Sequence, residues 1–165
     1  MARKGIDKML NQTTRHAVAW VGLAIGLIGT TPAWAADAGV AGMIKRVTGL
    51  ATIERGGVSM QATAGMQLRS GDRVVTGRPG GVGIVLSDDS IVTAGPDSRV
   101  VLAEVNFDGT THEGNILVRL AKGALHFVTG LIGKQSPQNI RIETPTAVMG
   151  VRGTEFIVET TGVAQ

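Results

Sequence analysis

His112 and His126 are the two histidines in the body of this 165-residue chain, His16 lying in its N-terminal stretch. Neither has metal-ligand spacing of the His-Glu-x-x-His kind. His112 sits in the polar run Thr-Thr-His-Glu-Gly. His126 lies between Leu125 and Phe127 and so faces away from both on a strand. Asp88 and Asp89 are adjacent carboxylates. Acid–base pairs need converging side chains, and neighbours in a turn diverge, so a turn role is expected. No Gly-x-Ser-x-Gly elbow is present. Gly80-Gly81-Val82-Gly83-Ile84-Val85 begins like a calcium-binding nonapeptide, but Val85 stands where Asp is required and no copy follows. The same glycines match half of a dinucleotide loop, yet no helix follows to present its N–H groups to a phosphate. These residues imply no catalytic set, no metal and no cofactor.

Such residues would have to be placed by strands. The chain reads as short apolar runs punctuated by many of its 24 glycines. Strands are expected at 44–48, 51–55, 58–61, 73–76, 83–86, 90–94, 99–105, 115–120, 123–129, 139–143 and 155–159. Ile53-Glu54-Arg55 and Val100 to Val105 alternate as half-buried strands do. Arg55-Gly56-Gly57, Ser87 to Ser90, Gly95-Pro96-Asp97-Ser98 and Asp108-Gly109-Thr110 carry turn chemistry. Residues 130–138 read as a longer loop. Turns every 8 to 12 residues or so leave sandwich, barrel and solenoid open.

The first 35 residues have the three parts of an export signal. Arg3, Lys4, Lys8 and Arg15 outweigh Asp7, Ala17 to Ile28 is uncharged and apolar, and Ala33-Trp34-Ala35 offers a peptidase site. Cleavage is expected between Ala35 and Ala36. The apolar run falls short of the ~20 residues of a membrane span. No cysteine is available to carry a lipid or to form a disulfide. The expected product is a periplasmic or secreted protein with no membrane anchor. It comprises a linker at 36–42, one β domain at 43–160 and a tail at 161–165. About 130 residues suffice for one core.

Cleavage also changes the chemistry. The whole chain has 16 Lys+Arg against 13 Asp+Glu, a formal charge of +3. The excess lies in the signal, so the remainder is neutral and a nucleic-acid partner loses its electrostatic support. Arg69, Arg73 and Arg78 cluster, with Asp72 among them, as on a solvated face. Both tryptophans, Trp20 and Trp34, leave with the signal, and the chain has no tyrosine. Flat sugar- or base-stacking platforms are therefore not expected.

Thr144-Pro145-Thr146-Ala147-Val148-Met149-Gly150-Val151-Arg152-Gly153-Thr154-Glu155-Phe156-Ile157-Val158 resembles the closing signature of the FecR family. Upstream features agree in order. Val47-Thr48-Gly49 with Ala51-Thr52-Ile53 resembles the opening strand pair. Ala64 to Thr76, containing Gly71-Asp72 and Thr76, resembles the following segment. Leu86-Ser87-Asp88-Asp89-Ser90 with Pro96-Asp97-Ser98 resembles an Asp-Gly-Ser turn and Pro-x-Ser strand, Asp89 replacing the usual glycine. The resemblance implies a twisted β-solenoid-like fold. It assigns Gly71, Asp72, Thr76, Asp89, Pro145, Gly150, Arg152, Gly153 and Thr154 to the signature. Elementary chemistry gives several of these structural work. Gly150 and Gly153 permit tight turns, Asp72 caps a turn, and Arg152 pairs with a buried carboxylate or covers a strand edge.

Members of that family include transmembrane regulators whose outer domain hears a receptor while a cytoplasmic segment controls a sigma factor. This chain departs from that plan, with no cytoplasmic segment, no mature membrane helix and an end soon after the signature. The expectation is an all-β, stand-alone exported domain of twisted β-solenoid-like or sandwich-like form. It would bind an envelope protein in sensing or signal transduction, and 155–159 would offer an exposed strand edge. The alternative expectation is a structural or polysaccharide-associated envelope protein.

Overall fold

The computed structural model describes residues 39–162, so the expected signal and the Ala35/Ala36 cleavage site lie outside the described residues. The chain order is β1 (Val40–Arg55), β2 (Val58–Gln61), β3 (Gln67–Arg69), β4 (Arg73–Leu86), β5 (Ile91–Ala94), β6 (Arg99–Phe107), β7 (Gly114–Val128), α1 (Leu131–Gln135), a 3-10 turn (Pro137–Asn139), β8 (Ile140–Glu143), β9 (Val148–Gly150) and β10 (Glu155–Thr160). The fold is all-β, as its β-branched, glycine-punctuated sequence requires.

Pairs of expected short strands are single long ones. Segments 44–48 and 51–55 join in β1, 73–76 and 83–86 in β4, and 115–120 and 123–129 in β7. Glycine bends these strands without ending their ladders. In β1 the register with β4 shifts between Gly49 and Ala51, and pairing then resumes. Gly123 in β7 has φ +92, and a Cβ there would lie 2.2 Å from Ser98 Oγ. β3, β9 and α1 were not expected. β3 and β9 are three residues each and carry too little pattern to read.

The strands form one sheet that closes on itself. β4 pairs with β5 through Val82–Val85 and with β6 through Arg73–Val75. β7 pairs with β5 through Leu125–Val128 and with β6 through Gly114–Lys122. The ring β4–β5–β7–β6 is a small closed barrel, which removes its inner edges. β8 runs parallel to β7 after a crossover carrying α1. The core fills the ring with fully buried Ile84, Leu102, Leu120, Leu125, Phe127 and Ile142. Alternation in β6 points Val100 and Leu102 inward, and a register shift between Leu102 and Glu104 lets Val105 follow them.

Candidate interaction surface at the last strand

The signature residues upstream of the last strand act as polar clamps at the bends. Asp72 is 1% exposed. Its carboxylate accepts from Arg55 Nε at 2.7 Å, Arg55 Nη2 at 2.6 Å and the Arg69 amide at 2.8 Å. Asp72 therefore caps the Arg69–Asp72 turn as expected, and Arg55 holds it by two-point pairing. The expected clustering of Arg69, Arg73 and Arg78 gives no single basic face, because Arg73 pairs with Glu54 and Arg78 with Asp97. Gly71, at φ +91, donates its amide to the Leu102 carbonyl.

Thr76 makes the second clamp. Its hydroxyl donates to the Gly95 carbonyl at 2.6 Å and accepts from the Ser98 amide at 2.8 Å. Ser98 Oγ in turn accepts the Ala124 amide at 3.0 Å. The third clamp is Asp88, fully buried, whose carboxylate accepts the Ser90 amide and hydroxyl and the Ile132 amide. Asp89 points to solvent with φ 64. It occupies the left-handed conformation that glycine usually serves at that turn, and aspartate is among the few residues that tolerate it.

The remaining signature residues lie near the surface. Pro145 is exposed in the Thr144–Ala147 turn, where Thr144 Oγ1 accepts the Ala147 amide at 3.1 Å. Gly150 ends β9 with open space at its Cβ position, and Gly153 has φ +135. Thr154 accepts the Thr129 amide at 2.8 Å through its carbonyl. Of the two roles expected of Arg152, pairing with a buried carboxylate is not seen: it is exposed and makes no ion pair among the described residues, and the arginine that meets a buried carboxylate is Arg55. The partners are 17 positions apart, a separation no local pattern reveals.

The buried carboxylates are engaged within these clamps. Asp72 and Asp88 are saturated by donors. His126 Nε2 lies 2.7 Å from Glu155 Oε1, and the His112 ring stacks on Phe107 with centroids 6.1 Å apart. An open cleft of about 430 Å³ is lined by Arg78, Asp97 and Lys122, but Lys122 and Arg78 both pair with Asp97. Their pairing, led by the Lys122 hydrogen bond, holds the Asp97 carboxyl below its ordinary range. The Thr110 and Thr111 amides do the same for Asp108.

β10 is different. It pairs with β7 alone among the described strands. Phe156 and Val158 turn inward, and Phe156 stacks on Phe127 with centroids 5.3 Å apart. Glu155, Ile157 and Glu159 turn outward, and Ile157 is 67% exposed. The Thr154 carbonyl accepts the Thr129 amide just past the end of β7. By alternation, the backbone groups of Glu155, Ile157 and Glu159 face away from β7 along an open edge.

A family model described as FecR protein matches residues 72–164. That region starts at Asp72 and contains the Thr76 and Asp88 clamps and all of β10. No curated protein matches the chain. A solved structure described as a cell surface anchoring domain is 30% identical, with 38% of this chain and 84% of that chain covered and a TM-score of 0.37.

Proposed function

This chain belongs to the FecR protein family, and on that premise we propose that its β domain is a non-catalytic exported module that binds a protein partner in cell-envelope sensing or signal transduction. The observation that carries the reading is the open edge of β10, placed within the family region. An extended segment that adds to such an edge gains main-chain hydrogen bonds, and side-chain pockets then select it. Glu155 and Glu159 oppose indiscriminate strand addition by their charge. The non-catalytic part is supported by the saturation of Asp72 and Asp88 and by the engagement of both histidines. The expected location is the periplasm or the exterior. Among the described residues no helix is long and apolar enough to cross a membrane.

A photo-crosslinking residue at Ile157, in cells making the full chain, tests this. The expected result is an adduct with an envelope protein that is absent when the cross-linker stands at Thr110, on an exposed loop. The reading fails if Ile157 yields no adduct with another protein, or the same adducts as Thr110.

A further inference from the structure

The outer face of the sheet carries a pattern that the fold does not need. Met43, Val85, Ile91 and Val128 are direct neighbours across β1, β4, β5 and β7. All four point away from the core, and Ile91 is 41% exposed. The next outward row is Arg46, Gly83, Thr93, His126 and Ile157. A solvated sheet face ordinarily alternates to polar residues, and contiguous apolar side chains mark an interaction surface. The charges on this face are sorted by strand. Lys45 and Arg46 lie at one side of this face, on the stretch of β1 between its pairings with β3 and β2, and meet no carboxylate among the described residues. Glu155 and Glu159, on β10 at the other margin, supply the negative charge, and only Glu155 is engaged, by His126.

We propose that this face binds a second copy of the chain about a two-fold axis running along the strands. Such an axis carries the β1 margin of one copy onto the β10 margin of the other. Lys45 and Arg46 then oppose carboxylates on both sides at once, as an isologous interface requires. Ile91, on the central strand, meets Ile91 of the second copy, and the absence of a side chain at Gly83 lets the sheets approach. Self-pairing through the β10 edge instead sets Glu155 opposite Glu159, a like-charge contact. The five strands present roughly 300 Å² per copy from strand spacing and rise. That is below the ~800 Å² per partner of a stable interface, so the association is weak and reversible.

Sedimentation equilibrium of the protein purified from cells expressing the full chain decides the matter. A concentration-dependent dimer is expected, weakened about tenfold or more by Ile91→Asp with the circular dichroism unchanged. A chain with Lys45→Glu and Arg46→Glu, and another with Glu155→Lys and Glu159→Lys, should each be monomeric alone. An equimolar mixture of the two should dimerise, because both margins become complementary again. The proposal is overturned by a monomer at every concentration up to about 1 mM, by a dimer indifferent to these substitutions, or by a mixture that stays monomeric.

Discussion

Asp72 carries a carboxylate with 1% exposure, and Arg55, 32% exposed, is its counter-charge. Removing the guanidinium leaves the buried charge with the Arg69 amide alone. Arg55→Met should therefore lower stability by about 3 kcal/mol, the low end for breaking a buried pair because Arg55 is partly solvated. Arg55→Lys should recover only part, since an ammonium cannot make the two-point contact. The urea midpoint reads both, and a change below about 0.5 kcal/mol for Arg55→Met would contradict this account. At the surface, Asp97 is lowered first by the Lys122 hydrogen bond and then by the charges of Lys122 and Arg78. A folded pKa below the unfolded one gives stability that is complete above the unfolded value of about 3.9 and is lost as pH falls through the folded value. Lys122→Met should raise the Asp97 carboxyl toward its ordinary range in a carbon NMR titration. It should also narrow its stability gap from the unmodified chain on acidification. The cap role of Asp72 was legible because it is local. Its partner Arg55 was not, because the ion pair exists only once β1 and the turn before β4 are side by side.

At the scale of the element, glycine suggests an ending in the sequence where the fold makes it a bend. Gly123 shows why both are available to the same residue. Its φ of +92 suits a turn, yet Lys122 still pairs with Arg99 and Gly123 with Thr160, so β7 continues through it. Gly123→Ala combines a disfavoured φ with a Cβ 2.2 Å from Ser98 Oγ, and should cost more than about 2 kcal/mol. Gly56→Ala, with φ +55 and nothing within 4 Å, should cost about 1 kcal/mol or less. Thermal unfolding of the two variants makes the comparison, and equal losses would show that packing at Ser98 is not what requires glycine. The unexpected α1 is explained by its surroundings. The amides of Leu131 and Ile132 bond Asp88, and Ile132 is fully buried, so tertiary contacts hold a segment with little helical signal of its own.

At the scale of the molecule, closure of β4–β5–β7–β6 decides which surfaces remain open. The ring consumes both sides of β5 and β6, and the continuation of β7 onto β10 leaves β10 at a margin. The exposed apolar row and the sorted charges arise the same way. Met43 and Val128 are far in sequence from the hairpin pair Val85 and Ile91, and the four become one row only through strand register. The open edge presents backbone groups and the outer face side chains, with Ile157 belonging to both. A partner strand and a second copy are separated by the identity of the Ile157 adduct and by the charge-swapped variants.

The sequence by itself determined the all-β class, the turn chemistry at Asp72 and Asp88, and the family. Those properties follow from periodicity, residue type and short spacing, which act within a few residues. Only the tertiary structure decided that eleven expected segments become eight strands, joined by β3 and β9 in one closing sheet. It alone matched Arg55 to Asp72, left Arg152 in solvent, and brought the apolar residues of separate strands into one row. Register and closure are set by long-range pairing, and a side chain's partner across a sheet is not encoded near it in the chain.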